Sequence, residues 1–286
     1  GATYKLAKMN LAIRGISANL GDTAADTFSN DQHKDLKADF IMANPPFNQK
    51  DWRAVNELVD DPRWSGYDIP STSNTNYGWI LHMVSKLSEN GVAGFILANG
   101  ALSGDGTEKA IRKTLVENGL VEAVIILPRS MFYTTDISVT LWIINKNKTQ
   151  RTVEKGTELR RYRNRKNEVL FMDLREMGVP FEKKYTEFSI ENIKEITSTY
   201  HNWQTDGAYE NIPEYSYAAK TEEIKSKDYS LVPSKYIEFV NRDENVDYHE
   251  KMTELQSDIV SLLKAEQQSN LDLKKVFEKL GYEVGV

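Results

Sequence analysis

The sequence predicts an α/β fold in which helices cover a mostly parallel sheet, followed by a helical tail. Three observations predict it. Short, nearly uncharged apolar segments alternate with amphipathic segments between residues 38 and 145, as in a chain that alternates strands and helices. The last two apolar segments are joined without a helix, which indicates an antiparallel hairpin at the sheet edge. Beyond residue 246, apolar residues recur at helical spacing among charged ones.

Each element follows from its own local pattern. Apolar side chains at helical spacing predict helices, and short runs rich in β-branched residues predict strands. Gly15 suits the end of the first helix, and the hydroxyls of Thr107 and Ser189 suit the starts of two others. The predicted helices cover residues 3–14, 77–88, 107–117 and 189–203, and the predicted strands cover residues 16–20, 38–43, 92–98, 120–127, 137–145 and 169–174.

The segments between these elements are polar. Residues 48–75 are rich in Asp, Pro, Gly, Ser, Thr and Asn, so we expect a long loop, which at this length is usually functional or disordered. Residues 147–167 are expected to form a charged connector, and residues 205–246 an irregular segment with many tyrosines.

The tail is expected to contain two helices. The first carries an apolar stripe spaced three, four and three residues apart, which is the seam of a short coiled coil. We call it the tail seam, and it consists of Met252, Leu255, Ile259 and Leu262. The polar residues 264–270 are expected to separate it from a second helix with Leu273, Phe277 and Leu280. The chain thus divides into an α/β region, a connector with an accessory α/β region, and a helical tail, covering residues 1–146, 147–246 and 247–286.

Composition excludes several kinds of protein. No apolar run is long enough to cross a bilayer, and we see no signal peptide, so we expect no membrane partner. The absence of cysteine removes disulfides and thiolate nucleophiles and fits a cytoplasmic location. The four histidines lie far apart, so we expect no metal site. The net charge of −6 argues against a general nucleic-acid coat, although residues 151–166 hold seven basic residues against two acidic ones.

The tetrapeptide Asn44-Pro45-Pro46-Phe47 directly follows a predicted buried strand and suggests a chemistry. The exocyclic amine of a nucleobase is a poor nucleophile because its lone pair is delocalised into the ring. The Asn44 side-chain oxygen and the Pro45 carbonyl can accept hydrogen bonds from its two N–H groups. The two prolines fix the backbone that carries these acceptors. Phe47 offers a face for stacking a base taken out of its duplex. The alternative is a proline turn without function.

This tetrapeptide resembles the catalytic motif of amino-methyltransferases that use S-adenosylmethionine. Further segments are similar to the modification subunit, HsdM, of type I restriction–modification systems, and the resemblance covers nearly the whole chain. These segments are residues 6–11, 21–23, 37–40, 44–48, 51–52, 61–64, 76–79, 94–100, 127–128, 131–135 and 279–282.

The resemblance implies the C-terminal part of a Rossmann-like methyltransferase sheet and methyl transfer from S-adenosylmethionine to the N6 amine of adenine in DNA. It implies catalytic roles for residues 44–47, contact of Asp22 with the adenine of the cofactor, and Phe132 as a wall of the pocket for the flipped base. The alternatives are an ordinary turn aspartate and a core aromatic residue. It also implies DNA, a separate specificity subunit and a restriction subunit as partners.

One departure from the family concerns the cofactor. The glycine-rich motif Asp-Pro-x-Cys-Gly-Ser-Gly-Gly would lie upstream of the first helix and is absent, as is the acidic residue expected to hold the ribose. Gly104-Asp105-Gly106 follows a later strand and is interpreted as a loop. The chain opens with Gly-Ala, without Met, in helix-like sequence. We therefore expect a piece of a longer protein that retains the catalytic half, and we expect this polypeptide alone to be inactive.

Two surfaces and two other functions stay open. The basic strip, which consists of Arg160, Arg161, Arg163, Arg165 and Lys166, can contact DNA phosphate or can be a solvated connector. The tail seam can dock on the specificity subunit or pack on its own chain. One alternative function is a non-catalytic assembly module that docks to the specificity subunit. The other is an enzyme of the same fold that methylates a protein glutamine or RNA.

Overall fold

The computed structural model describes residues 1–133, 136–156, 158–182, 184–205, 209–240 and 248–281. They belong to two compact units, Gly1–Glu238 and Phe239–Val286. The helices of the described residues are Ala2–Ile13 (α1), Asn76–Lys86 (α2), Thr107–Glu117 (α3), Ile190–Gln204 (α4), Thr221–Ser226 (α5) and Tyr248–Lys279 (α6). The strands are Ala38–Ala43 (β1), Leu87–Ala98 (β2), Val121–Ile126 (β3), Val139–Asn145 (β4), Arg151–Lys155 (β5), Glu158–Tyr162 (β6), Glu168–Asp173 (β7), Val179–Phe181 (β8), Tyr185–Glu187 (β9) and Ser216–Lys220 (β10).

A six-stranded sheet in the order β1-β2-β4-β3-β7-β10 forms the centre of the first unit, so the α/β class is confirmed. β1 is parallel to β2, and β3 is parallel to β7. β4 is antiparallel to both β2 and β3, and β10 is antiparallel to β7, so the sheet is mixed rather than mostly parallel. The predicted hairpin of β3 and β4 is antiparallel. It lies inside the sheet instead of at its edge, because β4 inserts between β3 and β2.

The core covers both faces of the sheet. One apolar cluster joins α2 and α3 to the sheet, and a second lies under α4, where Trp203 is fully buried. Alternate residues of β3 point to opposite clusters, with Val124 in the first and Ala123 and Ile125 in the second. Burial on both faces explains why β3 is apolar at every position except Glu122.

Three segments differ from their predictions. Residues 16–20, predicted as a strand, have no regular structure. The charged connector contains the two-stranded hairpin of β5 and β6, and the segment predicted as irregular contains β10 and α5. Sequence patterns do not predict β5, β6 and β10, because many of their residues are charged or small. None of the three shows the apolar run typical of a buried strand.

The two expected helix caps have different outcomes. Ser189 is the N-cap of α4, and its hydroxyl accepts from the Asn192 N–H at 3.1 Å in a capping box. Thr107 is instead the first residue of α3, and Gly106 precedes it with a φ of +63°. A left-handed backbone at this position suits glycine, and the Gly104-Asp105-Gly106 segment is a loop, as expected.

The described residues of the second unit form one helix where two were predicted. α6 continues through residues 264–270 because that stretch is polar but contains neither Gly nor Pro. The four side chains of the tail seam lie on this helix and are between 45% and 68% exposed. None of the helices in the described ranges is long and apolar enough to span a membrane.

Candidate active site

The tetrapeptide Asn44-Pro45-Pro46-Phe47 leaves the sheet at the carboxyl end of β1. β1 is in parallel register with β2, with Ala43 opposite Phe95. Because β2 and β3 are both antiparallel to β4, and β7 is parallel to β3, the carboxyl ends of β1, β2, β3 and β7 lie at the same edge. Open α/β sheets bind their ligands at this edge.

The two proposed acceptors of the tetrapeptide differ in exposure. The Asn44 side chain is exposed, whereas Pro45 is buried and anchors the turn. No described residue donates a hydrogen bond to the Asn44 side chain or to the Pro45 carbonyl. Since each proline fixes its own φ, the backbone between Ala43 and Phe47 has little freedom, so the Pro45 carbonyl is held in place before a ligand arrives. The exposed Asn44 side chain can still rotate about its own bonds.

The two aromatic candidates contact the same part of the core. Phe47 is partly buried and packs against both apolar clusters. Phe132, in the segment between β3 and β4, is partly buried against the second cluster. Each ring therefore has one part in the core and another part accessible to a ligand.

Asp22 lies in the loop between α1 and β1 and is exposed. Its backbone N–H donates to Gln32 Oε1 at 2.9 Å, and the Tyr4 hydroxyl donates to the carbonyl of Gly21 at 2.6 Å. Beside it lies a cavity of about 350 Å³ whose lining includes Tyr4 and Thr23. No described residue donates a hydrogen bond to the Asp22 carboxylate, so it can accept one from a hydroxyl or an amine of a ligand.

The long loop after the tetrapeptide is packed rather than structureless. Phe28 packs against Trp52 and Trp79, with ring centroids 4.4 Å apart in each pair. The Trp52 indole N–H donates to the Ser71 carbonyl at 2.7 Å. Residues 62–64 form a short 3-10 helix whose arginine is buried. Sequence reasoning missed this arrangement, although residues 51–52, 61–64 and 76–79 were among the segments of the family resemblance.

Arg63 connects this loop to the segment before β1. It forms an ion pair with Asp61 at 2.7 Å and donates to the carbonyls of Thr27 and Phe28 at 3.0 and 2.6 Å. Burial, together with the adjacent Arg63 guanidinium, lowers the pKa of His82 to about 4. His82 is therefore neutral at physiological pH. We find no group of three or more acidic or histidine side chains placed to hold a metal in the part of the chain that the structure describes.

The basic strip is divided between structure and surface. Arg165 is fully buried in an ion pair with Glu122 at 3.1 Å. Arg163 donates to the Trp203 carbonyl at 2.7 Å and pairs with Glu168 at 2.7 Å. Within the strip, Arg161 and Lys166 are exposed, whereas Arg160 and Arg163 are partly buried. The strip as a whole is therefore neither a continuous DNA-contact surface nor a solvated connector.

The sheet and the tetrapeptide at the carboxyl end of β1 lie within the part of the chain that matches a known family of methyltransferases. The chain belongs to the N-6 DNA methylase family, whose model matches residues 1–245.

The chain is similar to methylase subunits of type I restriction enzymes. The chain is 39% identical to the type I restriction enzyme HindI methylase subunit of Haemophilus influenzae, over 98% of this chain and 60% of that protein. It is 31% identical to the type I restriction enzyme MjaIX methylase subunit of Methanocaldococcus jannaschii, over 98% of this chain and 48% of that protein. The type I methyltransferase subunit from Streptococcus thermophilus superposes with a TM-score of 0.69 at 28% identity, over 83% and 46%. The chain thus spans about half the length of the relatives it matches.

Proposed function

We propose that the chain is the catalytic part of a type I modification subunit that methylates the N6 amine of adenine in DNA. The observation that supports this most directly is the position of Asn44 and Pro45. Both oxygens lie at the ligand-binding edge of the sheet, and no described residue donates a hydrogen bond to either. The similarity to methylase subunits of type I restriction enzymes supports DNA adenine as the substrate.

In this proposal the residues of the chain activate and hold the base. The Asn44 oxygen and the Pro45 carbonyl accept hydrogen bonds from the two N6–H groups. These hydrogen bonds draw the nitrogen toward tetrahedral geometry and free its lone pair. Phe47 stacks on the flipped adenine, and Phe132 closes the pocket from the side of the second apolar cluster. S-adenosylmethionine, when bound, supplies an electrophilic methyl group. No side chain of the chain needs to act as a covalent nucleophile.

Methyl-acceptor specificity tests the proposal. The full-length subunit and its specificity partner would be incubated with tritiated S-adenosylmethionine and, separately, with DNA, RNA or protein. We expect label in DNA alone, recovered as N6-methyladenine after digestion to nucleosides. Label in RNA or in protein glutamine would instead support the alternative enzyme of the same fold, and no label in any acceptor would support an assembly module.

The isolated chain is expected to bind S-adenosylmethionine weakly or not at all. Asp22 supplies one acceptor for the cofactor, but the glycine-rich segment that lets the backbone approach the ligand is not in this sequence. Calorimetry on residues 1–286 should show no binding at micromolar concentrations, while the full-length subunit serves as the positive control. Micromolar binding to the isolated chain would show that the residues present suffice for the cofactor.

We also propose that α6 docks onto helices of the specificity subunit through the tail seam. A narrow apolar stripe on a long helix suits one or two partner helices rather than a broad sheet. Burying its four side chains is worth roughly 1.5–3 kcal/mol each before the costs of ordering. Leu255→Glu combined with Ile259→Glu should therefore abolish co-purification with the specificity subunit, while circular dichroism shows an intact α/β unit.

The control for this pair places the same charges away from the seam. Ser257→Glu combined with Ser261→Glu adds two carboxylates at positions of α6 that lie off the seam in a heptad repeat. This variant should co-purify like the wild type. Stoichiometric co-purification of the Leu255 and Ile259 variant would place the docking surface elsewhere.

A further inference from the structure

The residue that follows the tetrapeptide is held by a buried amide. Asn76, the first residue of α2, is 1% exposed. Its Oδ1 accepts from the backbone N–H of Asn48 at 3.0 Å, and its Nδ2 donates to the Asn48 Oδ1 at 2.8 Å. One side chain thus binds both the main chain and the side chain of a residue 28 positions earlier. Such a two-point contact fixes orientation as well as position.

Asn48 needs such support because of its backbone conformation. Its φ is +52°, in the left-handed region that residues other than glycine seldom adopt, although asparagine tolerates it best. The Asn48 N–H belongs to the same peptide plane as the Phe47 carbonyl. The hydrogen bond to Asn76 therefore sets the direction in which the chain leaves Phe47.

The tetrapeptide is consequently anchored at both ends. Upstream, the pairing of Ala43 with Phe95 fixes its entry. Downstream, Asn76 fixes its exit. Two backbone bonds extend this second anchor, from the Asp51 N–H to the Thr72 carbonyl at 2.9 Å and from the Thr75 N–H to the Gln49 carbonyl at 3.0 Å.

We propose that Asn76 is a positioning residue for the catalytic tetrapeptide, acting through Asn48 on the placement of Phe47 and of the two acceptors. It does not itself touch the substrate. The inference rests on the proposed function, because it assigns Asn76 a purpose in the reaction attributed to residues 44–47.

The test compares Asn76→Ala with two other variants, Asn76→Asp and Thr75→Val. All are made in the full-length subunit, assembled with its specificity partner. Asn76→Ala removes both bonds to Asn48. Asn76→Asp keeps an acceptor for the Asn48 N–H, and a carboxylate is favoured in the first turn of α2. The side-chain amide of Asn48 can rotate so that its NH₂ group donates to the second oxygen of this carboxylate. Thr75→Val is the matched control, since Thr75 is equally buried, its hydroxyl has no hydrogen-bond partner among the described residues, and the variant keeps the backbone bond to Gln49.

Three measurements separate positioning from a general structural role. Single-turnover methyl transfer should fall roughly 10- to 100-fold in Asn76→Ala, because a misplacement of about 1 Å is enough to cost that much. The affinities for cofactor and DNA should stay unchanged. With 2-aminopurine as the target base, emission should rise in Asn76→Ala and in Phe47→Ala alike, because stacking on Phe47 is lost in both. Asn76→Asp should recover most of the rate, and Thr75→Val should behave as wild type.

The outcomes distinguish this inference from the proposed function. A wild-type rate and emission in Asn76→Ala, or an equal loss in Thr75→Val, would overturn the positioning role. Full activity of an Asn44→Ala complex would overturn the proposed function itself. If Asn76→Ala does not fold, Asn48→Gly removes the side-chain half of the contact, together with the bond from Asn74 Nδ2, at a left-handed position that suits glycine. A wild-type rate and emission in that variant would likewise overturn the positioning role.

Discussion

Replacing Asn44 by alanine is expected to reduce methyl transfer to DNA by about 10²–10³-fold, the usual cost of losing one preorganised electrostatic group. The variant loses the side-chain acceptor for one N6–H bond and leaves the Pro45 carbonyl as the remaining one. Because Asn44 is exposed and contributes nothing to the core, assembly of the complex should be intact. The measurement is incorporation of tritiated methyl groups into DNA by the full-length subunit with its specificity partner.

Two comparisons accompany this variant. Phe47→Ala should also lose most of the activity, through the missing stacking face. Asn56→Ala removes an exposed asparagine from the loop that follows the tetrapeptide and should turn over normally. Wild-type turnover in the Asn44→Ala complex would remove the chemical basis for the assignment of residues 44–47.

Replacing Arg165 by alanine should lower the free energy of unfolding by about 3–5 kcal/mol, because breaking a buried ion pair leaves an uncompensated charge. Glu122 on β3 is fully buried, and Arg165 and Gln204 donate to its Oε1 at 3.1 and 2.9 Å. Its Oε2 lacks a hydrogen-bond partner among the described residues, so the neutral donors Gln204 and Tyr200, 2.9 and 3.4 Å from Oε1, would remain in place of the guanidinium. Urea unfolding followed by tryptophan fluorescence suits the measurement, since the Arg165 guanidinium lies 5.6 Å from the Trp203 ring centre.

The same strip provides the control. Arg161→Ala removes an exposed arginine and should change stability by less than about 0.5 kcal/mol, as is usual for surface substitutions. Adding Glu122→Gln to Arg165→Ala removes the stranded charge and should recover part of the loss. If Arg165→Ala and Arg161→Ala unfold at the same urea concentration, Glu122 has found other compensation.

Local pattern predicted which segments form elements better than it predicted how they meet. β2, β3, α2 and α3 were found because each buries apolar residues at the spacing of its own secondary structure. The neighbours of a strand depend on the route of the chain, which local pattern does not encode. β4 was therefore expected at an edge and lies between β2 and β3.

The candidate site shows the same division. The tetrapeptide was predictable because its chemistry lies in four consecutive residues after a strand. The contact between Asn76 and Asn48 was not predictable, because the two polar residues are 28 positions apart and the loop between them has an ordinary composition. Arg165 was grouped with exposed basic residues because its buried partner, Glu122, lies 43 positions earlier.

The position of β4 also determines when the middle of the sheet can form during synthesis. β3 is buried along its whole length between β4 and β7, and both of these strands follow it in the chain. On the ribosome, β1, α2 and β2 can associate as they emerge, whereas β3 leaves the exit tunnel before either of its neighbours. This six-residue segment, which is apolar except for Glu122, therefore stays without its neighbours in the sheet until residue 173 has left the tunnel.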